Sequence, residues 1–355
     1  GEKLLFSIIR DISSERDIQQ QLWHYQSNLE TLVDKWREVL DDLQAQSEPP
    51  TLVLNADDPN IAALGRGRRN VVWFGVDDKS HAIGNREHAA DATTCRHCGA
   101  PLNHRVVLVG HLGHWDCPNC DSTRPTPAVS ATKIDLTPHG QQMTLRYPGP
   151  AGSPVELAIA SPLPGVHNSY NIVAAFAASW ALADRTSRPQ QAPAVARVMA
   201  ETKPAFGRGE VVDVDDKQIQ LLLAKNPTGV NQNVRTILSN PGELNVLVLL
   251  NDRTADGQDV SWIWDVDWEP LDSRLSSLTL SGDRAWDLAL RFRYGGFDMD
   301  NVTVSPDPTK ALDIALAATP AGNTLYALPT YTAMLDLRGV LTQRGHTAAY
   351  WSTDR

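Results

Sequence analysis

Two Cys-x-x-Cys pairs contain every cysteine of the chain, and they constrain its fold more than any other feature. Cys95 and Cys98 form the first pair, and Cys117 and Cys120 follow after eighteen intervening residues, which is the spacing of a tetrathiolate zinc site. The alternative is a pair of reactive or disulfide-forming motifs. Four thiolates complete a tetrahedron and leave no position for water or substrate, so we expect a structural zinc ion (Zn2+) and no catalysis there. Four nearby histidines are expected to be bystanders: His97, His104, His111 and His114.

The composition narrows the class of protein. At 355 residues and 42% hydrophobic, the chain can bury a full core and is long enough for two domains. The net charge of -10 provides no global basic field for nucleic acid. No apolar run approaches the roughly 18 residues of a membrane span, and no secretory signal pattern is present. We therefore expect a cytoplasmic protein with no transmembrane segment.

The order of apolar runs predicts an α/β fold. Residues 133–162 are typical of antiparallel hairpins, and "GVHNSYNIVAAFAASWALA" from Gly165 predicts a helix. From Gln218 onward, short apolar runs alternate with helical patterns, as in a doubly wound parallel sheet. Ligands bind such sheets at the carboxyl ends of the strands, where the richest polar stretches of this chain occur.

One of these stretches is acidic and contains tryptophans. Its carboxylates are Asp252, Asp256, Asp259, Asp265, Asp267 and Glu269. Its indoles are Trp262, Trp264 and Trp268. A run of charge is often only a solvated surface, but exposed indoles are enriched at interfaces. The pattern therefore favours a partner or substrate surface.

Several stretches, in this order, resemble the MurT family, the Mur-ligase-like subunits of lipid II isoglutaminyl synthases. They are "TLVLNADDP", the cysteine region, "GVHNSYNIVAA", "FGRGE", "KNPTGVNQ", "LNDRTADGQDVSWIWD" and "LPTYTAML". The resemblance runs from about Thr31 to the carboxyl end. It implies a truncated central ATP-binding domain over residues 31–202, with a zinc ribbon inserted at 93–122, and a Rossmann-like carboxyl-terminal domain over 203–355.

The resemblance also implies a reaction. Such ligases use ATP and Mg2+ to phosphorylate a carboxylate, here the D-glutamate α-carboxylate of the lipid II stem peptide. Ammonia from a GatD-type glutaminase partner then attacks the acyl phosphate. The implied cofactor-binding residues are His167, Asn168, Asn171, Lys225 and Asn226. For the His167 stretch, the alternative is a helix cap followed by a core helix.

The acidic stretch gains a specific role from the same resemblance. MurT-like subunits lend a carboxylate to the histidine of the partner glutaminase, and an orienting carboxylate improves a histidine base. The candidates are Asp259 first, then Asp256 and Asp265. The alternative is that these aspartates cap turns and helix starts.

Two features depart from the family pattern. The sequence contains no Gly-Lys-Thr phosphate-binding loop of the kind that cradles ATP phosphates at a helix start. Residues 1–30 instead resemble the end of a PAS sensor domain with its signalling helix. The second hypothesis is therefore a catalytically incomplete fusion or fragment that acts as a glutaminase-binding module.

Overall fold

The computed structural model describes most of the chain from residue 39 onward, so the PAS-like resemblance of residues 1–30 lies outside the described residues. The described residues are 39–43, 45–84, 92–149, 152–185, 192–202, 204 and 207–348. The described chain divides into two compact units. A small unit takes residues 39–52 and 64–71, and a large unit takes residues 53–63 and 72–348.

The strands and helices follow each other along both units. The strands are β1 (Leu52–Asn55), β2 (Val71–Val76), β3 (Asn103–Val109), β4 (Leu112–Asp116), β5 (Val129–Thr137), β6 (Gly140–Pro148), β7 (Pro154–Ser161), β8 (Arg208–Val214), β9 (Lys217–Leu222), β10 (Leu244–Leu249), β11 (Leu275–Ser281), β12 (Val302–Val304) and β13 (Thr324–Pro329). The α-helices are α1 (Pro59–Gly65), α2 (Val166–Arg185), α3 (Ala192–Glu201), α4 (Pro227–Leu238), α5 (Ala285–Tyr294), α6 (Pro308–Ala318) and α7 (Tyr331–Gln343). Short 3-10 helices cover Ser261–Asp265, Glu269–Arg274 and Met299–Asn301.

Polar contacts organise the small unit. Arg68 pairs with Asp41 at 2.7 Å, and its Nε donates to the Leu64 carbonyl at 2.6 Å. The Asn70 side chain donates to the Pro49 carbonyl at 3.2 Å. Residues 64–70 are therefore held to residues 41–49 by hydrogen bonds.

A five-stranded mixed sheet has the order β1-β2-β5-β6-β7. β2 pairs with β5 in parallel, and β5, β6 and β7 are antiparallel neighbours, as the hairpin prediction for residues 133–162 required. Helix α2 packs its small and aromatic side chains on this sheet, where Val173, Phe176 and Ala177 are buried beside Leu145. Small residues let the helix approach the sheet closely, so this layer forms the core of the first half of the large unit.

A six-stranded sheet forms the second half of the large unit. Its order is β12-β11-β10-β13-β9-β8, and every neighbouring pair is parallel except β8 with β9. Every residue of β10, from Leu244 to Leu249, is buried. Alternate β10 residues enter different hydrophobic clusters, Val246 and Val248 in one and Leu247 and Leu249 in the other. Burial on both faces is the signature of a doubly wound parallel sheet, so that prediction is confirmed.

The "FGRGE" stretch fastens β8 to α7. Gly207 has a φ of +67°, and a Cβ there would lie 2.0 Å from the Met334 sulfur, so only glycine fits. Glu210 accepts from the Gly207 amide at 3.3 Å and forms an ion pair with Arg338. The motif therefore has a structural role at the start of this domain.

A four-cysteine centre and an acidic loop

The four cysteines converge on one point. Their sulfur atoms all lie within 4.8 Å of one another. Cys95 Sγ is 3.7 Å from Cys120 Sγ, and Cys98 Sγ is 3.5 Å from Cys117 Sγ. Sulfurs bonded to one tetrahedral zinc at about 2.3 Å are separated by about 3.8 Å, whereas a disulfide needs about 2 Å. The donor set fits zinc and not a pair of disulfides.

Tight turns at both ends of a hairpin base produce this convergence. In the first turn, Gly99 donates to the Cys95 carbonyl at 2.8 Å and has a φ of +75°. In the second, Cys117 donates to the Ser122 carbonyl at 2.8 Å. Between the turns, β3 and β4 form an antiparallel hairpin with Asn103 opposite Asp116. The cysteine pairs are therefore brought together by a local ribbon, as the spacing predicted.

The electrostatics of the cluster favour a cation. Burial opposes ionisation of Cys95, but the backbone amides of His97 and Cys98 lower its pKa to about 6. Burial raises the pKa of Cys117 to about 11. Four sulfurs at this separation cannot all carry negative charge unless a positive ion neutralises them. A bound zinc ion would be held by all four cysteines and would supply fold stability, with no open coordination position.

The nearby histidines face other groups. His104 Nε2 contacts the Ala92 carbonyl at 3.0 Å, and His114 Nε2 contacts the Val76 carbonyl at 3.0 Å. His111 lies 3.4 Å from Asp58. In the part of the chain that the structure describes, the one convergent group of metal-ligating side chains is the four cysteines.

A buried charge network lies beside this ribbon and was missed by sequence reasoning. Asp57 has no exposed surface, and it accepts from the Val76 amide at 2.9 Å and the Tyr170 hydroxyl at 2.7 Å. Arg124 donates to Asp57 at 2.6 Å and to Asp77 at 3.0 Å. Burial raises the pKa of Asp57, although the Arg124 charge opposes that shift. The network ties the loops that follow β1 and β2 to the segment after the ribbon.

The candidate nucleotide residues of α2 lie at its amino end. Asn168 donates to the Pro164 carbonyl at 2.7 Å and accepts from Asn171 at 3.1 Å. His167 is largely buried, and its Nδ1 has no hydrogen-bond partner among the described residues. Burial lowers the pKa of His167 to about 4, with a contribution from Arg208, so the ring is neutral at pH 7. A neutral imidazole nitrogen and an exposed amide at Asn171 are groups that can bond a base edge.

Lys225 and Asn226 lie elsewhere. Asn226 caps α4 and accepts from the Gly229 amide at 2.8 Å, and Lys225 is exposed beside it. The start of α2 approaches the opposite end of α4, where a Cβ at Gly165 would lie 3.0 Å from Thr236 Oγ1. Ten residues of helix span about 15 Å. The structure therefore does not bring the two groups of candidates together.

The three candidate aspartates have different surroundings. Asp256 accepts from the Thr332 amide at 2.8 Å and from the Thr332 hydroxyl, so it holds the first turn of α7. Asp259 is exposed and accepts from the Ser261 amide at 2.8 Å, and this hydrogen bonding lowers its pKa. Asp265 is exposed at the end of a 3-10 helix. Asp259 and Asp265 thus present carboxylates to the surface, whereas Asp256 is engaged within the fold.

The tryptophans of the acidic stretch also divide. Trp268 is fully buried and stacks on Phe292 with ring centroids 5.1 Å apart, so it belongs to the core. Trp264 is 47% exposed, and its ring centroid lies 5.9 Å from that of Tyr294. Tyr294 is 75% exposed, and Trp286, on the same face of α5, is 67% exposed. We call Trp264, Trp286, Leu290 and Tyr294 the α5 aromatic face.

Asn251, at the end of β10, fixes the loops at the carboxyl edge of the sheet. Its amide donates to Thr330 Oγ1 at 3.0 Å, and its side chain donates to Thr332 at 2.9 Å. Its side-chain oxygen accepts from the Asp283 amide at 3.0 Å. The loops after β10, β11 and β13 are thereby joined at the edge where parallel sheets bind ligands. The polar residue at a strand end was the only sequence signal for this role.

The comparisons with known proteins agree with the resemblance seen in the sequence. The profile of the family described as MurT ligase C-terminal matches residues 223–334. A MurT subunit of lipid II isoglutaminyl synthase from Streptococcus pneumoniae is 28% identical over 296 residues, which are 83% of this chain and 62% of that protein. A MurT subunit from Staphylococcus aureus is 27% identical over 80% of this chain and 60% of its own length. The chain thus spans about three fifths of the length of the curated relatives it matches.

Solved structures with the same fold are peptide ligases. A pseudomurein peptide ligase type C from Methanothermus fervidus matches 83% of this chain and 56% of its own, with a TM-score of 0.61 and 21% identity. A MurF from Acinetobacter baumannii matches 81% of this chain and 51% of its own, with a TM-score of 0.52 and 15% identity. The predictions of a MurT relationship and of a Mur-ligase-like α/β fold are confirmed. Among the described helices, none has the length and apolar character to cross a bilayer.

Proposed function

We propose that the chain is the Mur-ligase-like subunit of a glutamine-hydrolysing lipid II isoglutaminyl synthase. The observation that carries this proposal is the match of residues 223–334 to the MurT ligase C-terminal family, on a chain related to named MurT subunits over 83% of its length. The reaction would convert the D-glutamate α-carboxyl of the lipid II stem peptide to D-isoglutamine during peptidoglycan biosynthesis. We place the protein in the cytoplasm, with its lipid II substrate at the membrane surface.

The proposed chemistry has two steps. A substrate carboxylate oxygen attacks the γ-phosphorus of ATP, ADP departs, and an acyl phosphate forms. Ammonia then attacks the acyl carbon, inorganic phosphate departs, and the nitrogen loses a proton to give the amide. Binding and alignment of the reactants are the chain's contribution, since well-aligned reactants can lower the barrier by about 7–11 kcal/mol.

The described residues fit parts of a nucleotide site. His167 and Asn171 offer polar groups at the start of α2 that suit the adenine edge. Lys225 and the start of α4 provide positive potential that suits a phosphate or carboxylate. The protein commonly provides only one or two carboxylates for Mg2+ in nucleotide sites, with phosphates and water completing its shell.

The α5 aromatic face supports the partner proposal. Trp286, Leu290 and Tyr294 recur every four residues on α5, and Trp264 extends the same face toward the acidic loop. Exposed Trp and Tyr are the side chains that most often dominate protein interfaces. We propose that a GatD-type glutaminase covers this face to form a heterodimer.

Asp259 is the residue best suited to serve that partner. It is exposed, hydrogen bonding lowers its pKa, and it lies on the loop that carries Trp264. An ionised carboxylate at the rim of the interface could orient a histidine of the glutaminase. Asp265 is also exposed, whereas Asp256 already bonds the first turn of α7. These positions support the order Asp259, Asp265, Asp256.

The domain limits are also proposed. α3 ends at Glu201 and β8 begins at Arg208, which supports a boundary close to residues 202 and 203. The four-cysteine ribbon lies between β2 and β5 of the first sheet, in agreement with an insertion at 93–122. The alternative of a non-catalytic glutaminase-binding module is not favoured, because the named relatives are synthase subunits.

Reconstitution tests the proposed function. The full natural polypeptide that carries these residues is co-purified with a GatD-type glutaminase and incubated with lipid II, ATP, Mg2+ and glutamine. Mass spectrometry of the stem peptide should show conversion of the α-carboxyl to an amide that depends on both ATP and glutamine. Stable complex formation with no amidation would support the binding-module alternative and overturn the ligase proposal.

A further inference from the structure

Arg235 joins the two halves of the large unit. It lies near the end of α4, in the second half, and its guanidinium donates to the Leu108 carbonyl at 2.6 Å and to the His81 carbonyl at 2.7 Å. Leu108 is in β3, on the ribbon hairpin, and His81 follows β2. A guanidinium fork can bond two acceptors at once in a fixed plane, so this contact defines orientation as well as distance.

The two acceptor segments are themselves paired. The Ile83 amide donates to the Val107 carbonyl at 2.8 Å, so the residues after β2 lie along β3. Leu108 is fully buried in the core of the first half. Arg235 therefore bonds two neighbouring carbonyls on a surface that is already rigid.

Other contacts continue the same seam. The buried Gln220 side chain donates to the Pro138 carbonyl at 2.6 Å. A Cβ at Gly209 would lie 2.9 Å from Pro164, so glycine permits close approach of the β8 strand to the loop before α2. Both hydrogen-bond donors, Arg235 and Gln220, come from the second half, and every acceptor is a main-chain carbonyl of the first.

The cysteine centre determines where one of these acceptors lies. Cys98 precedes β3 and Cys117 follows β4, so a metal bound by the four sulfurs closes the base of the hairpin. Leu108 is close to the other end of that hairpin, where it packs in the core. Loss of the metal would free the base of the hairpin and weaken the definition of the Leu108 carbonyl.

We propose that Arg235 is a positioning residue that fastens the carboxyl-terminal domain to the ribbon hairpin, so that metal binding at the cysteines and the orientation of α4 are coupled. Lys225 and Asn226 lie at the other end of α4, and a rotation of the helix would displace them. The coupling itself is independent of the reaction, and only its catalytic consequence rests on the proposed function.

Arg274 offers a matched control. Its guanidinium also donates to two main-chain carbonyls, those of Asn240 and Gly242, but both belong to the same domain as Arg274. Arg274→Ala therefore removes a guanidinium and two carbonyl contacts without touching the seam. Arg235→Lys is the conservative variant, since one ammonium can replace only part of a planar fork.

Amide hydrogen exchange on the zinc-loaded protein tests the coupling. Arg235→Ala should accelerate exchange at Ile83 and at the α4 amides by about tenfold or more, and Arg235→Lys should restore part of the protection. Arg274→Ala should affect only the amides around Gly242. Removal of zinc from the unmodified protein should accelerate exchange in α4 as well.

The proposal is overturned if Arg235→Ala matches Arg274→Ala at these amides, or if zinc removal leaves α4 unchanged. If Arg235→Ala does not fold, Arg235→Lys and the zinc-removal arm decide the question. In the amidation assay, Arg235→Ala should reduce kcat/KM by about tenfold relative to Arg274→Ala. An unmodified complex with no amidation would refute the proposed function and leave the exchange result to judge the coupling.

Discussion

Arg124 Nε donates to Asp57 Oδ1 over 2.6 Å, and the Asp57 side chain has no exposed surface. The two residues are 67 positions apart, one after β1 and the other after the ribbon. Because Arg124 also bonds Asp77, one guanidinium holds the carboxylates that follow two neighbouring strands.

Arg124→Met should leave a buried, unpaired carboxylate and reduce the free energy of unfolding by about 3–5 kcal/mol at pH 7. Burial already raises the pKa of Asp57 in the folded state, so its favourable contribution is full below its unfolded pKa and is lost as pH rises. Without Arg124 that pKa rises further. The difference between variant and parent should therefore grow from pH 4 to pH 7 in denaturant titrations.

Arg146→Met is the control for this prediction. Arg146 pairs with Asp77 at 2.8 Å but is 45% exposed, so its removal should cost less than about 1 kcal/mol. Equal effects of the two variants, or a difference that shrinks with rising pH, would contradict the buried-pair interpretation.

The purified protein should contain one zinc ion per chain. Cys98→Ser should remove the metal and destabilise residues 93–122, because structural zinc sites contribute folding energy directly. Ser122→Ala, which removes only the 3.3 Å contact with Cys120, should retain the zinc. Metal analysis decides the matter, and a folded, zinc-free chain with four titratable thiols would show that the cysteines are not a metal site.

The α5 aromatic face should be the glutaminase-binding surface. Trp286→Ala and Tyr294→Ala should each weaken binding by about 2 kcal/mol or more, which is the usual effect of removing an interface hot spot. Val198→Ala provides a control, since Val198 is 59% exposed on α3. Calorimetry that gives the same affinity for all three variants would place the partner on another surface.

The exposed aspartates should separate by function. Asp259→Asn should reduce glutamine hydrolysis by the assembled complex by up to about 10⁴-fold, as expected for loss of a carboxylate that orients a histidine. Asp256→Asn should instead lower the stability of α7 by about 1 kcal/mol, because Asp256 bonds its first turn. If Asp259, Asp256 and Asp265 variants all keep full hydrolysis while binding the partner, the shared-carboxylate proposal is wrong.

Local chemistry explains which features could be predicted from the sequence. The metal centre depends on two turns and a short hairpin, so Cys95 and its three partners were identifiable by spacing alone. The continuous burial of β10 likewise follows from an uninterrupted apolar run. The order of motifs was sufficient for the fold, because a parallel sheet leaves few topologies for alternating strands and helices.

Long-range pairing explains what could not be predicted. Nothing near Asp57 or Arg124 in sequence shows that they meet, and Arg235 bonds carbonyls that every residue possesses. Trp264 and Trp268 share one acidic stretch, yet one is exposed and the other is in the core. Short 3-10 helices lack the periodicity that would have distinguished an interface indole from a core indole.

Transfer of nitrogen from glutamine to lipid II tests the central claim most directly. The complex is supplied with glutamine carrying a heavy-nitrogen label in its side-chain amide, and the stem peptide and released phosphate are then measured. Amidation by this protein predicts labelled D-isoglutamine in lipid II, with one phosphate released from ATP for each amide formed. Labelled ammonia that accumulates in solution while the D-glutamate α-carboxyl stays unmodified would contradict the account.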